Sequence, residues 1–268
     1  MKRALFFFSF LSVLLSIWIV THVHTAISVT PPLFSPTYSL NLPLTQKAVP
    51  AYPWECQRTL SPITKEYFRC KGSSLNPPLP VLKEGKLTEN IFDCNGATSH
   101  SLPLRHGKEY VYPLLVELLN EIQNATGKPV IVTSGHRCPS HNRYVNPSIK
   151  NQGSKHQIGA EVSFYVAELE HHPEIVLNTI VSFYQTQPIY LSRGRGYTQF
   201  HRYERSTDVA TKPWFNKELF IKLYQPHEGR NGDNPHHFPY FSLQVRFDKD
   251  TNMPVTFSWQ QAQHFLRK

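Results

Sequence analysis

The chain has 268 residues, of which 40% are hydrophobic and 13% aromatic, and its formal net charge is +9. This composition excludes a disordered or fibrous chain, and the length suits one sizeable core with a small appendage. Basic residues are scattered, apart from four arginines within residues 193–205. We therefore expect a solvated basic surface and no nucleic-acid partner.

Residues 1–26 have the layout of a secretory signal. Lys2 and Arg3 give a basic start, and residues 4–20 form an apolar run interrupted by three serines. The run also approaches the lower length limit of a membrane-spanning helix. The segment is thus either a cleaved signal peptide or an uncleaved anchor. We expect an exported protein of the periplasm or cell envelope, which contacts the membrane only through this segment and is anchored to the inner membrane if it is retained.

Residues 27–85 are predicted to form a proline-rich extension. Ten of the 22 prolines lie between residues 31 and 80. Proline fixes φ and lacks an N–H, so this region is predicted to be extended or irregular.

The chain contains four cysteines: Cys56, Cys70, Cys94 and Cys138. An even number in an exported chain favours disulfides, and no Cys-x-x-Cys pair indicates a metal site. Three pairings are consistent with the sequence. Of these, we expect Cys56–Cys70 as a local clasp in the extension and Cys94–Cys138 as a staple further along the chain.

Residues 86–268 are predicted to form one domain. Apolar residues at helical spacing predict a helix from Tyr110 to Ile122, with Gly127 as its C-cap. Residues 129–133 read as a buried strand, 161–166 as a second strand and 175–184 as a second helix. Strands are predicted at 189–192 and 197–203, a short helix at 215–224, and a C-terminal β-hairpin from 241–247 and 255–259.

Two segments after the first strand carry the most informative pattern. They are Ser134-Gly-His-Arg-Cys-Pro-Ser-His-Asn142 and Ser154-Lys-His-Gln-Ile-Gly159. Polar residues that can bind metal, placed after a buried strand, are typical of a functional site. The segments resemble the signature of the zinc D-Ala-D-Ala carboxypeptidases, which trim peptidoglycan. These enzymes are related to the vancomycin-resistance D,D-dipeptidases and to the hedgehog signalling domain.

The resemblance covers about residues 100–206 and implies an α+β fold with a central antiparallel sheet flanked by helices. The proline-rich extension and the C-terminal hairpin are additions to that fold. A peptidoglycan stem peptide is the partner that the resemblance implies, and the sequence leaves the oligomeric state open.

The resemblance also implies a zinc site. In the family, zinc is held by the motif histidine, an aspartate seven residues later and a histidine from a later strand. His156 matches the first ligand, and His201 is the candidate for the last. The middle position is Ser163, a poor zinc ligand. Glu161 shares its strand face and is the candidate replacement and catalytic group.

Arg137 matches the family's arginine that grips the terminal carboxylate of the substrate, a task that suits a guanidinium. Ser154 matches the serine before the metal histidine and is the second candidate for substrate binding. His236 and His237 are alternatives to His201 as the last zinc ligand.

The acidic residue that serves as catalytic base in the family is also replaced, because its two usual positions hold Thr198 and Tyr203. Two functions follow from this pattern. The chain is either an exported zinc D,D-carboxypeptidase in which Glu161 completes the site, or a non-catalytic relative that binds peptidoglycan peptides or an envelope partner through Arg137. An envelope scaffold without a wall ligand is a third alternative.

Overall fold

A six-stranded antiparallel sheet forms the centre of the protein. The computed structural model describes residues 60–84, 86–147, 152–229 and 236–263. The strands are β1 Leu79–Lys83, β2 Lys86–Ile91, β3 Leu104–Arg105, β4 Lys108–Glu109, β5 Val130–Ser134, β6 Glu161–Val166, β7 His201–Arg202, β8 Trp214–Phe215, β9 Leu219–Tyr224, β10 Tyr240–Val245, β11 Phe247–Asp248 and β12 Met253–Pro254. The central sheet has the order β5-β6-β10-β9-β8-β7.

Helices of very different length accompany the sheet. They are α1 Pro113–Thr126, α2 Pro139–Val145, α3 Pro173–Thr186, α4 Pro188–Leu191, α5 Arg195–Thr198 and α6 Trp259–Ala262, with 3-10 turns at Lys65–Phe68, Gly96–Thr98 and Lys155–Ile158. The predicted α+β fold with an antiparallel sheet is confirmed.

The predicted first helix is α1, and its boundaries follow from its sequence. Pro113 occupies the first turn, where its missing N–H costs nothing, and Gly127 adopts a left-handed conformation with φ 64° as the C-cap. One face is buried throughout, by Leu114, Leu115, Leu118, Leu119 and Ile122. This face contacts α3 and strands β5, β6 and β10. α1 therefore covers one side of the sheet, and α3 packs against α1.

The two faces of the sheet differ in chemistry because side chains alternate along each strand. The core face carries Val162, Phe164 and Val166 of β6, Leu219, Ile221 and Leu223 of β9, and Phe241, Leu243 and Val245 of β10. The opposite face carries Glu161, Ser163, Lys222, Tyr224, Tyr240, Ser242 and Gln244. The sheet thus offers a polar surface on the side away from α1 and α3.

Several predicted elements after α3 are wrong. Residues 189–192 fall largely in helix α4, which begins at Pro188, and the predicted strand 197–203 reduces to α5 followed by the two-residue strand β7. The predicted helix 215–224 is instead β8 and β9. Leu219, Ile221 and Leu223 alternate into the core, so the period is that of a strand.

The C-terminal prediction is also corrected. Residues 240–245 form β10, which lies between β6 and β9 in the central sheet and is not one arm of a separate hairpin. The hairpin is smaller and consists of β11 and β12. Helix α6 begins at Trp259, where the second arm of the hairpin was expected to end.

Before the sheet, β1 and β2 pair as an antiparallel hairpin, so the predicted domain boundary at residue 85 falls at its turn. The candidate signal segment, most of the proline-rich extension and Cys56 lie outside the described residues. Within the part of the chain that is described, no helix combines the length and the apolar character needed to span a membrane.

Candidate functional site

The first motif segment leads from β5 into α2 and is held against the preceding part of the chain. The backbone N–H of His136 donates to the carbonyl oxygen of Phe68 at 2.6 Å. Gly135 permits this approach, because a Cβ at that position would lie 2.4 Å from the Cα of Phe68. Cys138 caps α2, which starts at Pro139 within this segment. The geometry of this loop therefore depends on a glycine where two backbone segments approach closely.

The second motif segment orients His156. The hydroxyl of Ser154 accepts the backbone N–H of His156 at 3.2 Å and caps the turn Lys155–Ile158. His156 Nδ1 lies 2.6 Å from the carbonyl oxygen of Gly135, so a proton on Nδ1 leaves Nε2 directed to the polar face of the sheet. Ser154 thus shapes the turn, and it also lines the cavity that lies over this face.

Glu161 lies beside His156, as the sequence placed it. His156 Nε2 is 3.5 Å from Glu161 Oε1, and the same carboxylate accepts hydrogen bonds from Ser242 Oγ at 2.7 Å and Gln244 Nε2 at 2.9 Å. Burial acts to raise the pKa of Glu161, but the charges of His156 and Lys222 and the two hydrogen bonds outweigh it and lower the pKa to about 2. Glu161 is therefore a buried, fully ionised carboxylate.

Ser163 occupies the position of the family's aspartate. In the sheet it lies opposite Ser242, and Ser242 lies opposite Lys222 on the next strand. Lys222 Nζ in turn contacts Asp208 at 2.6 Å, and Asp208 accepts a hydrogen bond from Tyr224 at 2.7 Å. The row across the three strands therefore contains two hydroxyls and an ammonium group.

Arg137 is positioned by both motif segments. Its Nε donates to Ser134 Oγ at 2.7 Å, and its backbone N–H points to the carbonyl oxygen of His156 at 3.4 Å. The residue is buried, at 5% exposure, yet it lines the cavity. Arg137 is thus held by Ser134 at the wall of the cavity.

The cavity over the polar face has a volume of about 830 Å³. Its charged lining residues are Arg137, Lys155, Lys222, Glu161 and Asp208. The other residues that line it are Asn142, Val145, Asn146, Gly153, Ser154, His156, Ser163, Tyr224, Gly229, Tyr240, Gln244 and Phe257. Burial lowers the pKa of Lys155 to about 8. This size and polarity suit a short peptide with anionic groups.

The structure does not bring His201, the predicted last zinc ligand, to His156. His201 lies on the edge strand β7, is exposed, and is separated from β6 by β10, β9 and β8. Four strand spacings correspond to about 19 Å. The alternative His236 stacks on Phe238 with ring centroids 4.2 Å apart. Among the described residues, no third His, Cys, Asp or Glu joins His156 and Glu161 in a group that could hold a metal ion.

Within the described ranges, the family's three-ligand zinc site is consequently not reproduced around His156. The positions near it supply the neutral hydroxyls of Ser163 and Ser242 and the cation Lys222. Hydroxyls are weak zinc donors and an ammonium group repels the metal, so these residues do not fit a catalytic zinc.

The predicted Cys94–Cys138 disulfide is not formed in the structure. Cys70, Cys94 and Cys138 are free cysteines, with Cys70 Sγ and Cys94 Sγ 3.7 Å apart. His100 lies with them, its Nε2 3.5 Å from Cys94 Sγ. Cys56, the expected partner of Cys70, lies outside the described residues. The three thiols meet the imidazole at one point, which the proposed pairs did not anticipate.

Sequence reasoning missed His100, Lys222 and Asp208. His100 lies outside both motif segments, and no Cys-x-x-Cys pair lies near it in the sequence. The presence of four cysteines was the only sequence signal for a cluster of this kind. Lys222 and Asp208 follow the family motif by more than 40 residues, and Lys222 was assigned to a helix. Its place on the polar face becomes visible only once β9 is recognised as a strand.

The fold and the site together define an α+β protein with a polar cavity built on strand β6 and the two motif segments. Residues 87–182 match the family model described as Peptidase M15. This match covers α1, β5, α2, β6 and most of α3. It supports a relationship of this part of the chain to the M15 zinc peptidases. No curated protein and no solved structure shows a significant match to the chain.

Proposed function

We propose that this protein is an M15-type peptide-binding protein of the cell envelope that does not hydrolyse its ligand. The cavity holds the carboxylate end of a peptidoglycan stem peptide, and Arg137 grips that carboxylate. The observation that carries the proposal is the environment of Glu161, whose negative charge is compensated by protein groups at the place where the family holds its metal.

Charge compensation without a metal supports the loss of hydrolysis. Glu161 is satisfied by Ser242, Gln244 and His156, and Lys222 adds a positive charge nearby. A catalytic zinc needs three protein ligands and an open position for water, and a carboxylate base must take the proton of that water. Among the described residues, no third His, Cys, Asp or Glu lies close enough to His156 and Glu161 to complete such a site, and the carboxylate of Glu161 is already engaged.

The remaining features favour binding of an anionic peptide. Three cations and two carboxylates line the cavity, so its formal charge is positive when Lys155 is protonated. Arg137 is fixed by Ser134 at the cavity wall, which lowers the entropy lost when a carboxylate binds. Stem peptides end in a carboxylate and carry further anionic groups. Export, supported by the basic and apolar start of the chain, belongs to the same proposal.

The test is calorimetric titration of the full chain with a peptide that ends in D-Ala-D-Ala, beside the same peptide with an amidated end. A charge-assisted hydrogen-bond pair contributes about 1.5–3 kcal/mol. We expect amidation and Arg137→Lys each to weaken binding by about tenfold to hundredfold. Arg143→Ala is the matched control, because Arg143 pairs with the exposed Glu89 outside the cavity lining.

Release of D-alanine is measured in the same samples, with and without added zinc. We expect no release in either condition. Release that a chelator abolishes and that His156→Ala removes would contradict the proposal and favour a peptidase. Equal affinity for the free and amidated peptides would contradict the role of Arg137.

A further inference from the structure

Three thiols and an imidazole converge outside the cavity. Cys70, Cys94, His100 and Cys138 each offer one ligand atom, and these atoms all lie within 4.8 Å of one another. Cys70 follows the first 3-10 turn, Cys94 follows β2, His100 follows the second 3-10 turn, and Cys138 caps α2. Four separate chain segments therefore deliver soft ligands to one point.

The spacing of these atoms is that of a tetrahedral metal site. Zinc–sulfur bonds of about 2.3 Å arranged tetrahedrally place the sulfur atoms about 3.8 Å apart. Cys70 Sγ and Cys94 Sγ are 3.7 Å apart, and Cys94 Sγ and His100 Nε2 are 3.5 Å apart. A disulfide would instead require a separation of about 2.0 Å. The arrangement thus fits four ligands around a central ion.

Backbone groups orient the ligands as in metal sites. His100 Nδ1 lies 3.2 Å from the carbonyl oxygen of Ser101, so a proton on Nδ1 leaves Nε2 available to a metal. The N–H of Gly96 donates to Cys94 Sγ at 3.3 Å, and the N–H of His141 donates to Cys138 Sγ at 3.4 Å. Such N–H donors stabilise the negative charge of thiolates.

The backbone makes room for the cluster at Gly72. A Cβ on Gly72 would lie 2.2 Å from Cys94 Sγ and 2.9 Å from the carboxylate of Asp93. That carboxylate also binds His141 Nδ1 at 2.6 Å. The surroundings of the four ligands are therefore closely packed and hydrogen-bonded.

We propose that Cys70, Cys94, His100 and Cys138 bind one structural zinc ion. A Cys₃His set is closed, with no position left for water, so the ion contributes to folding and not to hydrolysis. It joins the segment before the sheet to the N-terminus of α2, next to Arg137. The zinc site is independent of the proposed peptide binding, because none of its four ligands lines the cavity.

The test is elemental analysis of the full chain purified without chelator. We expect one zinc per chain, lost in Cys94→Ser and retained in Cys56→Ser, which changes the one cysteine that is not among the four proposed ligands. His156→Ala is the second control and should also retain the ion. Loss of zinc in His156→Ala with retention in Cys94→Ser would overturn the assignment and restore the family's site.

A second measurement is Co²⁺ replacement, whose main result comes from the unmodified chain and does not depend on the folding of a variant. Replacement of zinc by Co²⁺ should give the strong thiolate-to-metal absorption and the visible bands of a tetrahedral site. His100→Cys should keep the metal and strengthen the thiolate absorption. A chain that takes up no metal, or in which mass spectrometry finds a disulfide between two of the three cluster cysteines, would refute the proposal.

Discussion

Glu218 provides a test of the structure that is separate from the cavity. Its carboxyl group is buried, at 1% exposure, and accepts a hydrogen bond from Tyr184 at 3.0 Å. Burial raises the pKa of Glu218 from 4.5 to about 7, against the opposing effect of the Tyr184 hydrogen bond. The group is therefore protonated in the folded protein at pH values where it is ionised in the unfolded chain.

The sign of the effect on stability follows from this difference. Between pH 4.5 and about 7, the unfolded chain has released the proton that the folded protein retains. The free energy of unfolding consequently falls as the pH rises through this range, by up to about 3 kcal/mol for a shift of this size. Above pH 7 both states are ionised and the loss is complete.

Glu218→Gln removes the titration and preserves an oxygen that accepts the Tyr184 hydroxyl. We expect the variant to match the parent protein near pH 4.5 and to exceed its stability by up to about 3 kcal/mol at pH 8. Urea unfolding at half-unit steps from pH 4.5 to 8.5 measures this difference. Glu168→Gln, at an exposed carboxylate paired with Lys128, is the control and should leave the profile unchanged. Parallel pH profiles for Glu218→Gln and the parent would refute the reasoning.

Two further substitutions probe the cavity and the cysteine cluster. Glu161→Gln should destabilise the protein by up to about 3 kcal/mol at pH 7. The penalty should shrink as the pH falls from 4.5 towards 2, because the unfolded chain then takes up a proton that the native carboxylate does not bind until the pH nears 2. An equal penalty in urea unfolding at pH 7 and pH 2.5 would contradict the ionised state. Gly72→Ala should lower stability by about 1–3 kcal/mol and release zinc, because its Cβ would meet Cys94 Sγ. Melting temperature and metal content measure this. Gly196→Ala, where a new Cβ would lie 3.9 Å from the side chain of Lys217, should change neither.

The sequence predicted the first half of the sheet well because its signals are local. α1 has a continuous buried stripe and Gly127 as its C-cap, so both its period and its end can be read directly. Strand β6 alternates, which placed Glu161 and Ser163 on one face, and the structure brings Glu161 to His156. For these elements, short-range pattern and tertiary packing agree.

The later elements depended on information that is not local. Phe215 and Leu219 have helical spacing, yet Leu219, Ile221 and Leu223 pack into the core as a strand. The error moved Lys222 off the polar face and left His201 as the apparent last ligand. Its separation from His156 is set by strand order, which no spacing along the chain reveals.

The cysteines show a second limit of sequence reasoning. The even number of cysteines and the expected export favoured disulfides. Neither argument says which side chains lie close together in the fold. The partner that changes the interpretation is His100, whose side chain reaches the thiols only when the segment after β2 folds back to α2.

The pairing of β10 with β6 determines when the cavity can exist during biosynthesis. Gln244 lies opposite Glu161, so the floor of the cavity is completed only after residue 244 has joined the sheet. Before that moment β6 presents an unpaired edge, and closing so long a loop is slow. A chain interrupted before β10 would consequently have no partial binding capacity, although both motif segments and all four cluster ligands would already be present.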